Sequence, residues 1–171
     1  RHDVLGLEQF DLAQARRVLP AHLPLPKLHW KITRVQAQEV LAYFVEHCLP
    51  QFGTYQDAMI TDEYRMWHGL ISPYLNLGLL EPMEVIQAIE AAYYEQELPL
   101  NSVEGFIRQV MGWREYMHGI YSAQNDEYTE SNWFQHHRPL PEFYWDASKT
   151  DMNCLHQTLT QVEEIAYGHH I

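Results

Sequence analysis

Apolar positions recur at helical spacing along most of this chain, and no stretch alternates convincingly with period two. Residues 8–18 read as a short helix, and 20–32, with three prolines, as an irregular strap. Thr33 and Gln36 have the spacing of a capping box. Behind them Ala37, Leu41, Phe44, Val45 and Cys48 share a helical face, and Pro50 with Gly53 is expected to end that helix. Residues 62–78 are read as helical with an interruption at Pro73. Pro82 opens a further helix with Val85, Ile86, Ile89 and Ala92 on one face. Asn101 with Glu104 marks the start of the strongest helix. Its stripe is Val103, Phe106, Ile107, Val110, Trp113, Met117 and Ile120. Residues 123–150 are polar, aromatic and proline-broken, which predicts a long ordered loop. A last helix is expected from about Met152 to the end, so that His169-His170-Ile171 closes the chain in mid-helix. The predicted fold class is all-α.

Composition narrows the picture. At 171 residues, with 46 % hydrophobic and 13 % aromatic residues, the chain can build one domain with a core and is not a disordered segment. No apolar run approaches 18 residues, so no membrane span is expected. The formal net charge of −12 works against nucleic acid and, taken alone, favours a small-molecule or protein partner. Two cysteines, Cys48 and Cys154, fit a reducing, cytoplasmic setting and cannot by themselves make a four-thiolate metal site. No capping glycine, proline or polar tail follows the terminal histidines. The chain therefore reads as a piece of a larger protein, and the exposed apolar face of such a piece would favour self-association.

Three groups of residues could carry chemistry. In Ile71-Ser72-Pro73-Tyr74-Leu75-Asn76-Leu77-Gly78, a serine ahead of a proline frees backbone N–H groups that, with the hydroxyl, can hold a phosphate. A kinked core helix explains the same residues. In Phe106-Ile107-Arg108-Gln109-Val110-Met111-Gly112-Trp113-Arg114-Glu115-Tyr116, Gln109 and Trp113 share a face with Arg114 beside it. Amide, indole and guanidinium suit an aromatic ligand bearing phosphate or carbonyl groups. The competing reading puts Trp113 in the core and Arg114 in an ion pair. The third group is His169-His170, suited to acid–base work near neutral pH or to a plain surface position. Cys48 lies on an apolar face and reads as a core thiol. Cys154 stands at a polar helix start, where a thiolate is stabilised.

Together these segments resemble the photolyase/cryptochrome flavoproteins. ISPYLNLG is similar to that family's LSPYL…G segment, FIRQVMGWREY to its helix around W-R-E-F/Y, and AYGHHI to its GWxHN or GWxHH segment, in the same order. PLNSVEGFIRQVMGWREYMHGIY, FGTYQDAM and DMNCL…AYGHHI resemble the bacterial iron–sulfur branch, which includes prokaryotic (6–4) photolyases.

The resemblance implies that residues 1–171 are the N-terminal part of a helical FAD-binding domain. An N-terminal antenna domain with its own chromophore, and the rest of the helical domain, would lie outside the chain. It implies that Tyr55, His68, Gly69, Ile71, Ser72, Phe106, Gln109, Trp113 and Arg114 line the FAD site. His68 and Gly69 depart from the family's Thr-Ser-x-Leu-Ser segment, where only the Ser72 hydroxyl is kept. Gln109 stands where cyclobutane-dimer enzymes carry Glu. His170 falls where those enzymes have Asn and (6–4) enzymes have the second His; it is the implied proton donor, with His169 positioning it. Cys154 is implied as one thiolate of a 4Fe-4S cluster, and Trp145 and Tyr144 as an electron-transfer path. The implied substrate is a flipped pyrimidine lesion in damaged DNA, met locally by Arg108, Arg114 and His136-His137-Arg138. A cryptochrome-like light sensor without repair activity shares the fold and flavin motifs. An acidic helical interaction module with no cofactor is the third reading.

Overall fold

A computed structural model describes residues 30–58, 60, 65–124 and 126–168. The helix expected over 8–18, nearly all of the strap, and His169 and His170 lie outside the described residues. Helices and short turns make up the structure, with no strand element among the described residues, as expected for an all-α chain. The residues fall into two compact units.

The larger unit holds residues 34–58 and 65–138. Helix α1 (Arg34–Tyr43) begins directly after Thr33 and passes through a π-helical turn (Phe44–Cys48) into α2 (Leu49–Tyr55). Pro50 and Gly53 were expected to end this helix; instead both lie inside it. Proline has no N–H for the ladder, and its ring presses on the carbonyl four residues back. The wider turn just ahead of Pro50, closed by the Leu49 N–H donating to the Phe44 carbonyl, accommodates both defects. Gly53 serves packing rather than termination. A Cβ there would lie 2.5 Å from the Ser102 backbone nitrogen and 2.6 Å from the Asn101 carbonyl carbon. The Gly53 N–H donates to the fully buried Ser102 hydroxyl at 2.9 Å, and that hydroxyl donates to the Pro50 carbonyl at 3.4 Å.

Of the helix expected over 62–78, residues 62–64 lie outside the described residues, and among the others only the short α3 (Ser72–Asn76) is helical, with Pro73 in its first turn rather than at a kink. Gly78 ends it at φ +69°. The Gly78 N–H donates to the Leu75 carbonyl and the Leu79 N–H to the Tyr74 carbonyl, the paired bonds of a left-handed helix cap. Helix α4 (Pro82–Gln96) starts at Pro82 as expected, with Glu81 and Glu84 forming a reciprocal capping box. Val85, Ile89 and Ala92 are buried. Glu84 also accepts from the Gln38 amide at 2.9 Å and from Arg34 at 3.1 Å. The Gln38 hydrogen bond first, then the Glu81 N–H and Arg34, hold its carboxyl below the usual range.

Helix α5 (Leu100–Ile107) is capped by the Pro99 carbonyl, which accepts from Ser102 and Val103, so the expected Asn101 start shifts by two residues. It leads through a second π turn (Arg108–Gly112) into α6 (Trp113–Gln124). Phe44, Phe52 and Phe106 form the centre of the core, with ring centroids 4.5, 5.1 and 6.1 Å apart. The expected stripe is buried only through Val110. Beyond the π turn Trp113 is 56 % and Met117 62 % exposed. The inserted π residue changes the helical phase by about one residue, about 100°, which turns the later positions off the core face.

In the smaller unit, residues 139–168 form two 3-10 turns (Glu142–Tyr144, Ala147–Lys149) and α7 (Asn153–Ile165). The helix was expected to run to the chain's end. It stops at Ile165 because Ala166 adopts φ +58°.

Candidate functional site

The larger unit carries nine of the expected site residues. Tyr55, the last residue of α2, stacks on Trp67 with ring centroids 4.5 Å apart and an interplanar angle of 23°. Trp67 opens the tripeptide Trp67-His68-Gly69, which is bracketed by left-handed backbone at Met66 (φ +39°) and Leu70 (φ +46°). Such conformations cost non-glycine residues about 1–3 kcal/mol each and cluster at ligand clamps. Gly69 lies against the core: a Cβ would fall 2.7 Å from Phe106 Cε2. His68 and Ile71 are buried. The Ile71 carbonyl accepts from the Tyr74 and Leu75 N–H groups and so starts α3, leaving Ser72 exposed at its first position.

Phe106 reaches this strip from the other side. It is a buried core ring that backs Gly69 rather than an exposed contact. Farther along the same helix the character changes. Gln109, in the π turn, is exposed, as are Trp113 and Arg114. The Trp113 N–H closes the π turn on the Arg108 carbonyl, and its ring meets Tyr116 edge-on at 5.8 Å. Arg108 pairs with Glu104 at 3.4 Å; among the described residues no such pair engages Arg114. The expectation that Trp113 belongs to the core therefore gives way to an indole, an amide and a guanidinium presented outward. Farther on, Asn132 brackets His136 through two hydrogen bonds, leaving Trp133, Phe134, His136, His137 and Arg138 exposed.

The smaller unit carries the others. Cys154 is exposed in the first turn of α7, and among the described residues no group of three or more His, Cys, Asp or Glu gathers as a metal site. Tyr144 and Trp145 are half-exposed in and beside a 3-10 turn. Cys48, in the larger unit, is half-buried, and desolvation pushes its thiol up, which suits a packed and inert sulfur. The residue-by-residue reading missed Trp67, although it adjoins His68 and Gly69 in sequence.

No model of a known protein family matches the chain. A (6-4) photolyase of Agrobacterium fabrum is 47 % identical over 147 residues, covering 86 % of this chain. The chain belongs to the photolyase family. It spans 29 % of that photolyase's length. An uncharacterized protein of Acanthamoeba polyphaga mimivirus is 33 % identical over 95 residues, 55 % of this chain and 72 % of the viral protein. In photolyase terms, the Ser72 turn and the outward face of Gln109, Trp113 and Arg114 belong to one unit, whereas Cys154, Tyr144 and Trp145 belong to the other. No helix among the described residues is long and apolar enough to cross a membrane.

Proposed function

We propose that the whole protein is a light-driven, FAD-dependent DNA repair lyase of the (6–4) type, to which this chain contributes one side of the flavin and lesion site. The observation that carries the reading is the 47 % identity to a (6-4) photolyase across most of this chain. The donor set suits FAD. The exposed Ser72 hydroxyl at an open helix start can meet phosphate, and Gln109, Trp113 and Arg114 offer an amide, an indole face and a fixed cation to an aromatic ligand. When bound, reduced FAD supplies the light-driven electron.

The chain's own residues hold and screen. Tyr55, stacked on Trp67, presents an aromatic surface beside the Met66–Leu70 strip. Phe106 fixes Gly69 and thereby the approach to Ser72. Arg114 and Trp113 face the ligand and the flipped base. His170 holds the proton that accompanies return of a hydroxyl between the two pyrimidines, with His169 aiming it. Cys154, exposed at the start of α7, would supply one thiolate to a 4Fe-4S cluster in the whole protein, and Tyr144 and Trp145 would form an electron-transfer path. The two free cysteines accord with a cytoplasmic setting. The test is repair by the full-length protein. Reduced and illuminated, it is expected to restore intact pyrimidines in an oligonucleotide carrying a (6–4) photoproduct, read by chromatography. Flavin binding with no light-dependent repair would overturn the reading.

Met111, Trp113, Tyr116, Met117 and Tyr121 are all at least 50 % exposed. They support a further part of this reading, that the isolated 171-residue chain self-associates through them. Sedimentation velocity over a concentration series is expected to show the sedimentation coefficient rising with concentration. A monomer at every concentration would refute it.

A further inference from the structure

Two adjacent rings of the larger unit stand almost wholly in water: Trp133 is 89 % and Phe134 78 % exposed. Side chains of this kind bury about 150–250 Å² each where they find cover, so a pair left bare marks a surface that a ligand covers. The backbone beneath them is closely tied. The Gln135 N–H donates to the Asn132 carbonyl at 2.9 Å, which makes Asn132–Gln135 a turn with the two rings at its centre. The Asn132 side chain closes the turn from below: its amide donates to the His136 carbonyl at 2.8 Å, and its oxygen accepts from the His136 N–H at 3.0 Å. Ser131 anchors the entry, its hydroxyl donating to the Tyr128 carbonyl at 2.8 Å. Gln135, at φ +52°, turns the chain into His136, His137 and Arg138, all exposed.

The charge around the turn has a sign of its own. In a chain of net charge −12, no acidic residue falls between Glu130 and Glu142, whereas Arg138 and two histidines do. Exposed rings beside a fixed cation suit nucleic-acid bases next to a phosphate. Fully paired DNA offers such rings only backbone and groove edges; unpaired bases offer faces on which they stack. Two rings on a turn give too little area for a protein interface, which needs about 800 Å² from each partner.

We propose that the Asn132–Gln135 turn is a base-stacking platform: Trp133 and Phe134 take the faces of DNA bases left unpaired beside an extruded lesion, and Arg138 meets the neighbouring phosphate. The proposal rests on the repair reading for the event that unpairs those bases. The turn's own hydrogen bonds set the rings out before DNA arrives, so little ordering is left to binding.

The test uses the full-length flavin-loaded protein in the dark, with fluorescein-labelled undamaged duplexes read by fluorescence anisotropy. One duplex is fully paired and the other carries two adjacent mismatches. The parent is expected to bind the mismatched duplex about tenfold more tightly, the effect of stacking on a freed base. Trp133→Ala with Phe134→Ala should abolish that preference and leave affinity for paired DNA within about twofold. Both side chains are exposed, so the variant should keep the parent's circular dichroism and flavin spectrum. Trp133→Phe, which keeps a ring, should retain most of the preference. Arg138→Gln should weaken both duplexes alike and lower the salt slope by about one. A parent with no preference for mismatched DNA would overturn the platform, as would a double alanine variant that keeps the preference or loses affinity equally for both duplexes. Undamaged DNA separates this result from the repair reading. A parent that repairs nothing yet shows the ring-dependent preference loses that reading and keeps the platform; one that repairs while the double alanine variant binds as the parent does loses the platform alone.

Discussion

Gly53→Ala is expected to lower the stability of the protein by about 2–4 kcal/mol, the sum of an overpacked contact and a weakened buried hydrogen bond. The atoms that a new Cβ would meet, Ser102 N at 2.5 Å and Asn101 C at 2.6 Å, are backbone and cannot rotate away. α2 and α5 would have to separate. The Gly53 N–H would move from the Ser102 hydroxyl, and the Phe52–Phe106 contact at 5.1 Å, one residue from Gly53, would loosen with it. Because the obstruction is backbone, Ser102→Gly in the same chain is not expected to rescue it. Ser102→Ala alone should cost about 1–3 kcal/mol, by leaving the Gly53 N–H without its acceptor. Urea midpoints for the three variants check this. A parental midpoint for Gly53→Ala, or rescue by the double substitution, would show that the helices are not locked at this crossing.

Gly53 also shows why only part of the fold was legible. Sequence rules treat glycine and proline as terminators, since their commonest effect is local. Here a π turn takes up the defect at Pro50, and a partner helix about fifty residues away requires the missing Cβ at Gly53. Neither cause leaves a local mark. Where local chemistry and packing agree, the sequence was enough: Pro82 opens α4 and Val85, Ile89 and Ala92 bury its face. The stripe of the long helix was read correctly up to Val110 and wrongly beyond it, because a constant period of 3.6 cannot anticipate an inserted residue. α7 was extended to the terminus for a related reason. Its stop is an alanine in a left-handed conformation, at a position where local rules look for a glycine.

The candidate site divides in the same way. Ser72, Gln109, Trp113 and Arg114 stand out in the sequence because chemistry-bearing residues lie within a few positions of one another, and their roles at a flavin belong to the reading proposed above. Trp67 does not stand out, because its stacking on Tyr55 joins two separate segments of chain. The charge of −12, taken alone, works against DNA. Net charge describes the whole chain, whereas the proposed reading needs only a local cation, and Arg114 is exposed and not engaged in an ion pair among the described residues.

His170→Ala in the full-length protein is expected to reduce repair of a (6–4) lesion by about 10²–10⁴-fold, the usual worth of a general acid. Electron transfer from flavin does not require this imidazole, so flavin content and lesion binding should stay within about twofold of the parent. Two further measurements separate proton donation from mere bulk. A general acid must be protonated, so the parent's repair should fall as pH rises through the imidazole titration, whereas the residual repair in the variant should lose that limb. His169→Ala should cost less and keep the limb, since a partner that aims the donor alters its placement more than its titration. Parental repair by His170→Ala would remove the histidine from the chemistry. A pH limb that survives in the variant would assign the proton to another group.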